Sequence, residues 1–299
     1  MSALELRHLV MIRELFRTGS VGETAAALGL TQSAVSHRMR EAERRIQARL
    51  FVKSGRKIGF TSAAERLLLV AESVLGEISR VEQDIEKLAA GFDDVVRIGG
   101  GYYTPYDWLP PVQRAVWRDL PRVALEIPTR PLEDGVAELA RGAIDLAIVL
   151  GRSSDPQVES CLLMTDALVA VAAASHPFAK HGAVAPGDLA DATYITHHTR
   201  PERGREYELI FTRHGILPRR VVSAGVTEAV LQLVRAGEGI TILPRRTVAP
   251  YLAAWDLVTL PLDGPDYGLE WHALRRARDR NRPAVAAVAR LVQESFVPT

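Results

Sequence analysis

The chain has 299 residues, 47% of them hydrophobic and 24% charged, enough apolar sequence for two or three globular domains. No run of about 18 apolar residues suggests a membrane span, and the lone Cys161 excludes an intramolecular disulfide and Cys-rich zinc sites. The net charge of +1 hides an asymmetry, because residues 1–60 hold eleven Lys and Arg against five Asp and Glu while the remainder is slightly acidic, a pattern that points to one module meeting a polyanion.

The opening MSALELRHLV lacks the basic flank, apolar stretch and cleavage site of a secretion signal, so a cytoplasmic location is expected. Leu6, Leu9, Val10, Ile12, Leu15 and Phe16 recur at helical spacing and predict a helix over 4–17. Thr18-Gly19-Ser20 stops it, and Ser20 is placed to cap a second helix over 21–28. Its Ala25-Ala26-Ala27 run lets another helix approach closely, and Gly29 suits the left-handed backbone at a helix C-terminus. Thr31 then caps a third helix whose Ala34, Val35, Met39, Ala42 and Ile46 face inward. A helix-turn-helix needs a small residue midway along its first helix, a glycine four later and an apolar residue six beyond; Ala25, Gly29 and Val35 satisfy this. The third helix would enter a major groove with its early residues toward base edges. The candidate contacts are Thr31, Gln32, Ser33, Ser36, His37, Arg38 and Arg40. Gln pairs with adenine, Arg with guanine or phosphate, and Ser or Thr with either. A plain αα-hairpin with a solvated polar face is the alternative. Two extended pieces around Ser54-Gly55-Arg56-Lys57 form a hairpin, or wing, with Lys53, Arg56 and Lys57 placed to touch phosphates.

These blocks, ELRHL, AAALGLTQSAVSHRMREAERR and RLFVKSGRKIGFT followed by a long helix, resemble the LysR-type transcriptional regulators. The likeness covers the winged helix-turn-helix in nearly every turn and continues more weakly through the rest of the chain. Relatives often carry proline where Ala34 stands and glycine where Ala64 stands. Double-stranded operator DNA is the partner this implies.

Residues 62–90 contain no proline and one glycine, Gly76. Leu67, Ala71, Val74, Ile78, Val81, Ile85 and Leu88 are spaced 4-3-4-3-4-3, an apolar seam of period 3.5 that favours a partner helix. A helix packed only on its own domain is the alternative. The resemblance also implies dimerisation through this element, in a homodimer or homotetramer, and an operator that is an interrupted inverted repeat. RNA polymerase is a further candidate partner.

After a hinge at Ala90-Gly91-Phe92-Asp93-Asp94, short apolar runs alternate with helical stretches. Strands are predicted from Val95 and over 123–127, 144–150, 167–174, 193–196, 220–224, 240–243, 257–262 and 269–276. Helices are predicted over 106–120, 132–141, 201–214, 227–236, 245–252 and 283–296. Such alternation implies an α/β class with open, mainly parallel sheets. The resemblance implies a two-subdomain effector-binding region like periplasmic binding proteins, crossed by two strands near 150–170 and 258–276. The expected division is a DNA-binding domain over 1–61, a linker and dimerisation helix over 62–91, and an effector domain over 92–299. Within the last, one subdomain covers about 92–162 and 268–299 and the other about 163–267.

Ligands in such folds sit at strand carboxyl ends. The loop Gly99-Gly100-Gly101-Tyr102-Tyr103-Thr104-Pro105 follows a strand and opens a helix, so its N–H groups are either an anion cradle or a tight turn. Candidate effector contacts there are Gly100, Gly101, Tyr102 and Thr104, joined by Thr129 and Arg130, by Thr196, His197 and His198, and by Val226 and Thr227 at the ends of other strands. Adjacent histidines point to opposite sides of extended chain, so no metal site is expected, and one His is expected to face the cleft. Cys161 is expected to be an inert core thiol; a redox sensor is the alternative. No GxSxG, P-loop or HExxH occurs. A regulator under small-molecule control, without catalytic residues or a cofactor, is therefore favoured over an enzyme with an appended DNA module. Tyr106-Asp107-Trp108-Leu109-Pro110, HHTRPERGREYELIFTRHGILP and GITILPRRTV resemble the methionine-pathway branch of the family, which implies an amino acid or related carboxylate such as homocysteine as effector.

Overall fold

Side-chain caps set the helix boundaries of the basic N-terminal unit in a computed structural model that describes residues 3–54, 57–198, 205–264 and 267–296. α1 (Leu6–Thr18) ends at Gly19, and Ser20 Oγ accepts the Glu23 N–H at 3.4 Å to start α2 (Val21–Ala27). Gly29 takes the left-handed backbone, with φ of +63°, and Thr31 Oγ1 accepts the Ala34 N–H at 3.2 Å to start α3 (Gln32–Ile46). β1 (Phe51–Ser54) and β2 (Lys57–Phe60) pair antiparallel as the wing, and Thr61 caps α4 (Ser62–Ala89). Met11, Ile12, Leu15, Ala25, Val35, Ala42, Leu50 and Ala64 form the buried core. The chain divides into two compact units, Met1–Ala90 and Gly91–Thr299.

In the second unit, β3 (Asp94–Gly100) leads through α5 (Leu109–Asp119) to β4 (Val123–Glu126), and α6 (Gly135–Ala140) leads to β5 (Leu146–Leu150). β6 (Val158–Ala173) runs for 16 residues, followed by β7 (Thr193–Thr196), a π-wound turn (Tyr207–Thr212) and β8 (Arg220–Ser223). Then come α7 (Thr227–Arg235), β9 (Thr241–Pro244), α8 (Arg245–Leu252), β10 (Leu257–Leu260), β11 (Gly268–Arg276) and α9 (Pro283–Ser295).

The strand order β10-β6-β11-β5-β3-β4, with β9 also on β6, makes one sheet serve two lobes. Residues 158–167 of β6 pair with β11 in the first lobe, whereas 168–173 pair with β9 and β10 in the second. The sheet is mixed, not mainly parallel. β3 pairs parallel with β4 and β5, reached through helical crossovers. β11 returns from the second lobe between β5 and β6 and runs against both.

Three other expectations also need correction. α5 begins at Leu109 rather than 106, because Pro110 and Pro111 lack N–H donors and are tolerated only within a first turn. Of the helix predicted over 201–214, residues 201–204 lie outside the described set, and the helical part that follows winds as a π-helix over Tyr207–Thr212 before a last α-helical step at Arg213 and His214. Cys161 is exposed on β6, opposite Ala273, and is no core thiol.

A buried ion network closes the chain's end onto the first lobe. Asp145 Oδ1 accepts from Arg276 and Arg282, each at 2.6 Å, and Oδ2 accepts the Arg97 N–H at 2.9 Å. Arg276 also donates to Leu139 O at 2.8 Å and Ile144 O at 2.6 Å, while Arg282 grips Asp94. Removing the shared carboxylate leaves the buried Arg276 and the half-buried Arg282 guanidinium groups without it. Asp145→Ala should therefore lose about 3–5 kcal/mol of stability in urea unfolding followed by circular dichroism; a loss under 1 kcal/mol would show that the network is dispensable.

Candidate functional site

The outward face of α3 is polar and cationic because its acids point inward. Glu41 accepts from Arg7 at 3.3 Å and Arg45 at 2.7 Å and faces the buried His8 ring at 3.3 Å. Desolvation opposes ionisation of Glu41, but hydrogen bonds from His8 and Arg45 outweigh it and hold the carboxyl below its ordinary value. Glu43 Oε1 accepts the N–H groups of Leu50 at 2.8 Å and Phe51 at 3.1 Å, fixing the entry to the wing. Gln32, Ser33, His37 and Arg40 are exposed, and Ser36 and Arg38 half-buried. Thr31 is divided between capping and a 3.0 Å contact with Ser33 Oγ. Gly22 gives Gln32 its place, since a Cβ there would stand 3.2 Å from Gln32 Nε2. Arg56 lies outside the described residues, as do the side chains of Lys53 and Lys57 in the wing strands.

On α4, Leu67, Val74 and Ile78 are half-buried and Ala71 fully buried, whereas Val81, Ile85 and Leu88 are 47%, 58% and 47% exposed. Among the described residues no helix is long and apolar enough to cross a membrane.

In the second unit the glycine loop is a tight turn gripped by the second lobe. A Cβ on Gly100 would lie 2.8 Å from the Thr104 side chain, so close packing requires glycine. The Gly101 N–H donates to Ile148 O at 3.3 Å and the Thr104 N–H to Gly101 O at 3.0 Å, so neither is open to an anion. Thr104 Oγ1 also donates to Ile148 O, at 3.0 Å. Two consecutive carbonyls then meet the second lobe: Thr227 Oγ1 donates to Tyr102 O at 2.9 Å and Thr247 Oγ1 to Tyr103 O at 2.6 Å.

The Thr227 hydroxyl has one proton, and it goes to a carbonyl. His197 Nε2, 2.9 Å from Thr227 Oγ1, must therefore carry the hydrogen of that contact. This leaves His197 Nδ1 as a bare acceptor. Burial first, then the charges of His198 and Arg205, lowers the His197 pKa from the ordinary 6.5 to about 4, so the ring is neutral near pH 7. Tyr103 packs edge-on to His197 at 4.8 Å beneath the Arg205 guanidinium at 4.5 Å. The Tyr103 hydroxyl donates to Glu206 Oε1 at 3.1 Å, as does that of Tyr194, also at 3.1 Å. Burial pushes both the Glu206 carboxyl and the Tyr194 phenol above their ordinary values.

The structure thus brings Tyr102, His197 and Thr227 together, with His198 edge-on to Tyr102 at 5.4 Å. Val226 is exposed at the start of α7. Thr196 turns its hydroxyl onto His198 O at 3.2 Å. Thr129 and Arg130 are exposed in the bend after β4, near Leu132, whose N–H donates to Gly100 O at 2.8 Å. Tyr103, Tyr194, Glu206 and Thr247 escape sequence reading. Their only local signal is a Tyr-Tyr pair inside a glycine loop. Among the described residues no three His, Cys, Asp or Glu side chains converge as metal ligands.

Residues 6–65 match the model of the bacterial regulatory helix-turn-helix protein, lysR family, and residues 89–297 match the LysR substrate binding domain. The chain is 30% identical over 249 residues to the HTH-type transcriptional regulator MetR of Haemophilus influenzae, covering 83% of this chain and 80% of that one. Full-length CbnR complexed with its target DNA is similar in fold, with a TM-score of 0.73 and 21% identity over 98% of this chain and all of that one. The regulatory domain of MetR from N. meningitidis, a double mutant, gives a TM-score of 0.59 and 26% identity over 68% of this chain and 94% of that domain.

The His197 environment sets a pH response. As pH falls from 6.5 toward 4, the unfolded chain takes up the His197 proton before the folded one, so stability is lost across that window, by roughly 3 kcal/mol in full. Urea midpoints should fall less between pH 7 and pH 5 in His197→Gln than in the wild type. Equal falls would place the acid sensitivity in other groups.

Proposed function

The chain belongs to the LysR family of bacterial regulators, and from that premise we propose how its two units divide the work. It is a LysR-type transcriptional regulator with a helix-turn-helix for DNA and an effector-binding domain, in a family of regulators rather than enzymes. In our reading α3 lies in the major groove, with Gln32, Ser33, Ser36, His37, Arg38 and Arg40 toward bases and phosphates and Lys53, Arg56 and Lys57 of the wing on the backbone. The observation that carries this reading is the inward anchoring of Glu41 and Glu43, which leaves the opposite face of α3 without a carboxylate.

A small molecule between the two lobes adjusts this activity, beside Tyr102, His197 and Thr227. The MetR-like character of the chain favours an amino acid or related carboxylate, such as homocysteine. Val81, Ile85 and Leu88 pair with the same residues of a second copy, which places two recognition helices on an inverted repeat.

Two experiments test these assignments. An operator selected from random duplexes should bind Gln32→Ala or Arg38→Ala more weakly by about 1–3 kcal/mol, with relaxed specificity. Unchanged binding after alanine replaces Gln32, Ser33, Ser36 and Arg38 together would refute the reading face. Ile85→Asp should place a carboxylate in the helix seam at a cost of several kcal/mol and yield monomers in sedimentation. A variant that sediments like the wild type would remove α4 as the dimer contact.

A further inference from the structure

Around Tyr103 two buried acceptors have no donor among the described residues. His197 Nδ1 is one, left bare because Nε2 must hold the ring hydrogen for Thr227. Glu206 Oε2 is the other; Oε1 receives both tyrosine hydroxyls, and the residue is only 2% exposed. Buried polar atoms in native proteins are almost always bonded, and an unmet one costs about 1–3 kcal/mol. Both atoms belong to side chains that touch the ring or hydroxyl of Tyr103, at the junction of the lobes. Glu206 also immediately precedes the π-wound turn Tyr207–Thr212, a distortion found frequently at functional sites.

We propose that the ligand taken up by this cleft carries a protonated amine, with Glu206 as its counter-charge and His197 Nδ1 accepting another hydrogen from the same molecule. This rests on the reading of the cleft as the effector site and adds the group of the ligand that Glu206 meets. An ammonium group at Oε2 forms a charge-assisted bond, about twice as strong as a neutral one, and favours the ionised carboxylate that burial disfavours. A carboxylate at Oε2 itself meets like charge, and the N–H groups of Gly101 and Thr104 are already engaged, so the Arg205 guanidinium, 4.5 Å over the Tyr103 ring, is the cation that bears on Glu206 from the protein. The same carboxylate holds Tyr103 of the first lobe and Tyr194 of the second. A cation at Oε2 would therefore share one carboxylate with the two tyrosine hydroxyls that join the lobes, which couples binding to that contact.

Calorimetry of the full chain with L-norleucine, hexanoate and pentylamine separates amine from carboxylate on one carbon skeleton. A thermal-shift panel of amino acids and primary amines, each beside its deaminated counterpart, extends the comparison. Amine-bearing members should bind and their deaminated counterparts should not. Glu206→Gln, which keeps an acceptor for both tyrosines, should weaken binding at least tenfold. Deaminated acids that bind as tightly as their amines, or full affinity in Glu206→Gln, would overturn the proposal. Acid binding that is lost in Thr227→Val would leave the cleft reading standing without the amine. Binding indifferent to both variants would place the site elsewhere, and no binding by any member of either class would remove both readings. If Glu206→Gln fails to fold, the matched pairs on the wild type decide alone.

Discussion

Two threonine hydroxyls donating to two consecutive carbonyls hold the regulatory unit in its observed form. Thr227 and Thr247 come from different helices of the second lobe, yet they fix Tyr102 O and Tyr103 O of one first-lobe loop. The His197 tautomer follows from the Thr227 bond, and the position of the Tyr103 ring against His197 and Glu206 follows from the loop's placement. Each such bond contributes only about 1 kcal/mol net. A set of bonds this weak fixes an arrangement while leaving it within reach of a small ligand's binding energy, as the effector control proposed above requires. Asp166 supports the crossing beside it. One of its oxygens accepts the Arg246 N–H at 3.1 Å and the Trp271 indole at 3.0 Å, where β6 changes partners from β11 to β9.

The N-terminal unit uses buried charge differently. Glu41 and Glu43 act as internal acceptors, so a helix with two acids presents an outer face dominated by Arg, His and hydroxyl groups. Position on the helix, not net composition, determines which charges DNA would meet.

Local chemistry made much of the fold legible. Ser20 and Thr31 cap the helices they precede, and Gly29 takes the backbone that only glycine adopts freely. Departures arose where distant contacts overrule local pattern. The first half of β6 mixes exposed Cys161 and Leu162 with buried Leu163 because β11 and a solvent edge share it, so neither alternation nor an apolar run marks it. The parallel expectation failed at β11, whose direction is set by a return from the second lobe. In the site, His197 and Thr227 were visible as residues at strand and helix ends. Glu206 lies in a charged stretch that reads as solvated helix, and its partner Tyr103 is 103 positions away. No periodicity reports such a pair.

The central proposal, that a small molecule at the lobe junction adjusts DNA binding, requires the grip of the second lobe on Tyr102 and Tyr103 to bear on DNA output. The most direct test is operator affinity and footprint of the Thr227→Val, Thr247→Val double variant, measured by anisotropy and nuclease protection without added ligand. The account predicts a shift in affinity of tenfold or more, about 1.4 kcal/mol, or an altered footprint, with the helical content retained. Wild-type affinity and footprint in that variant would contradict it.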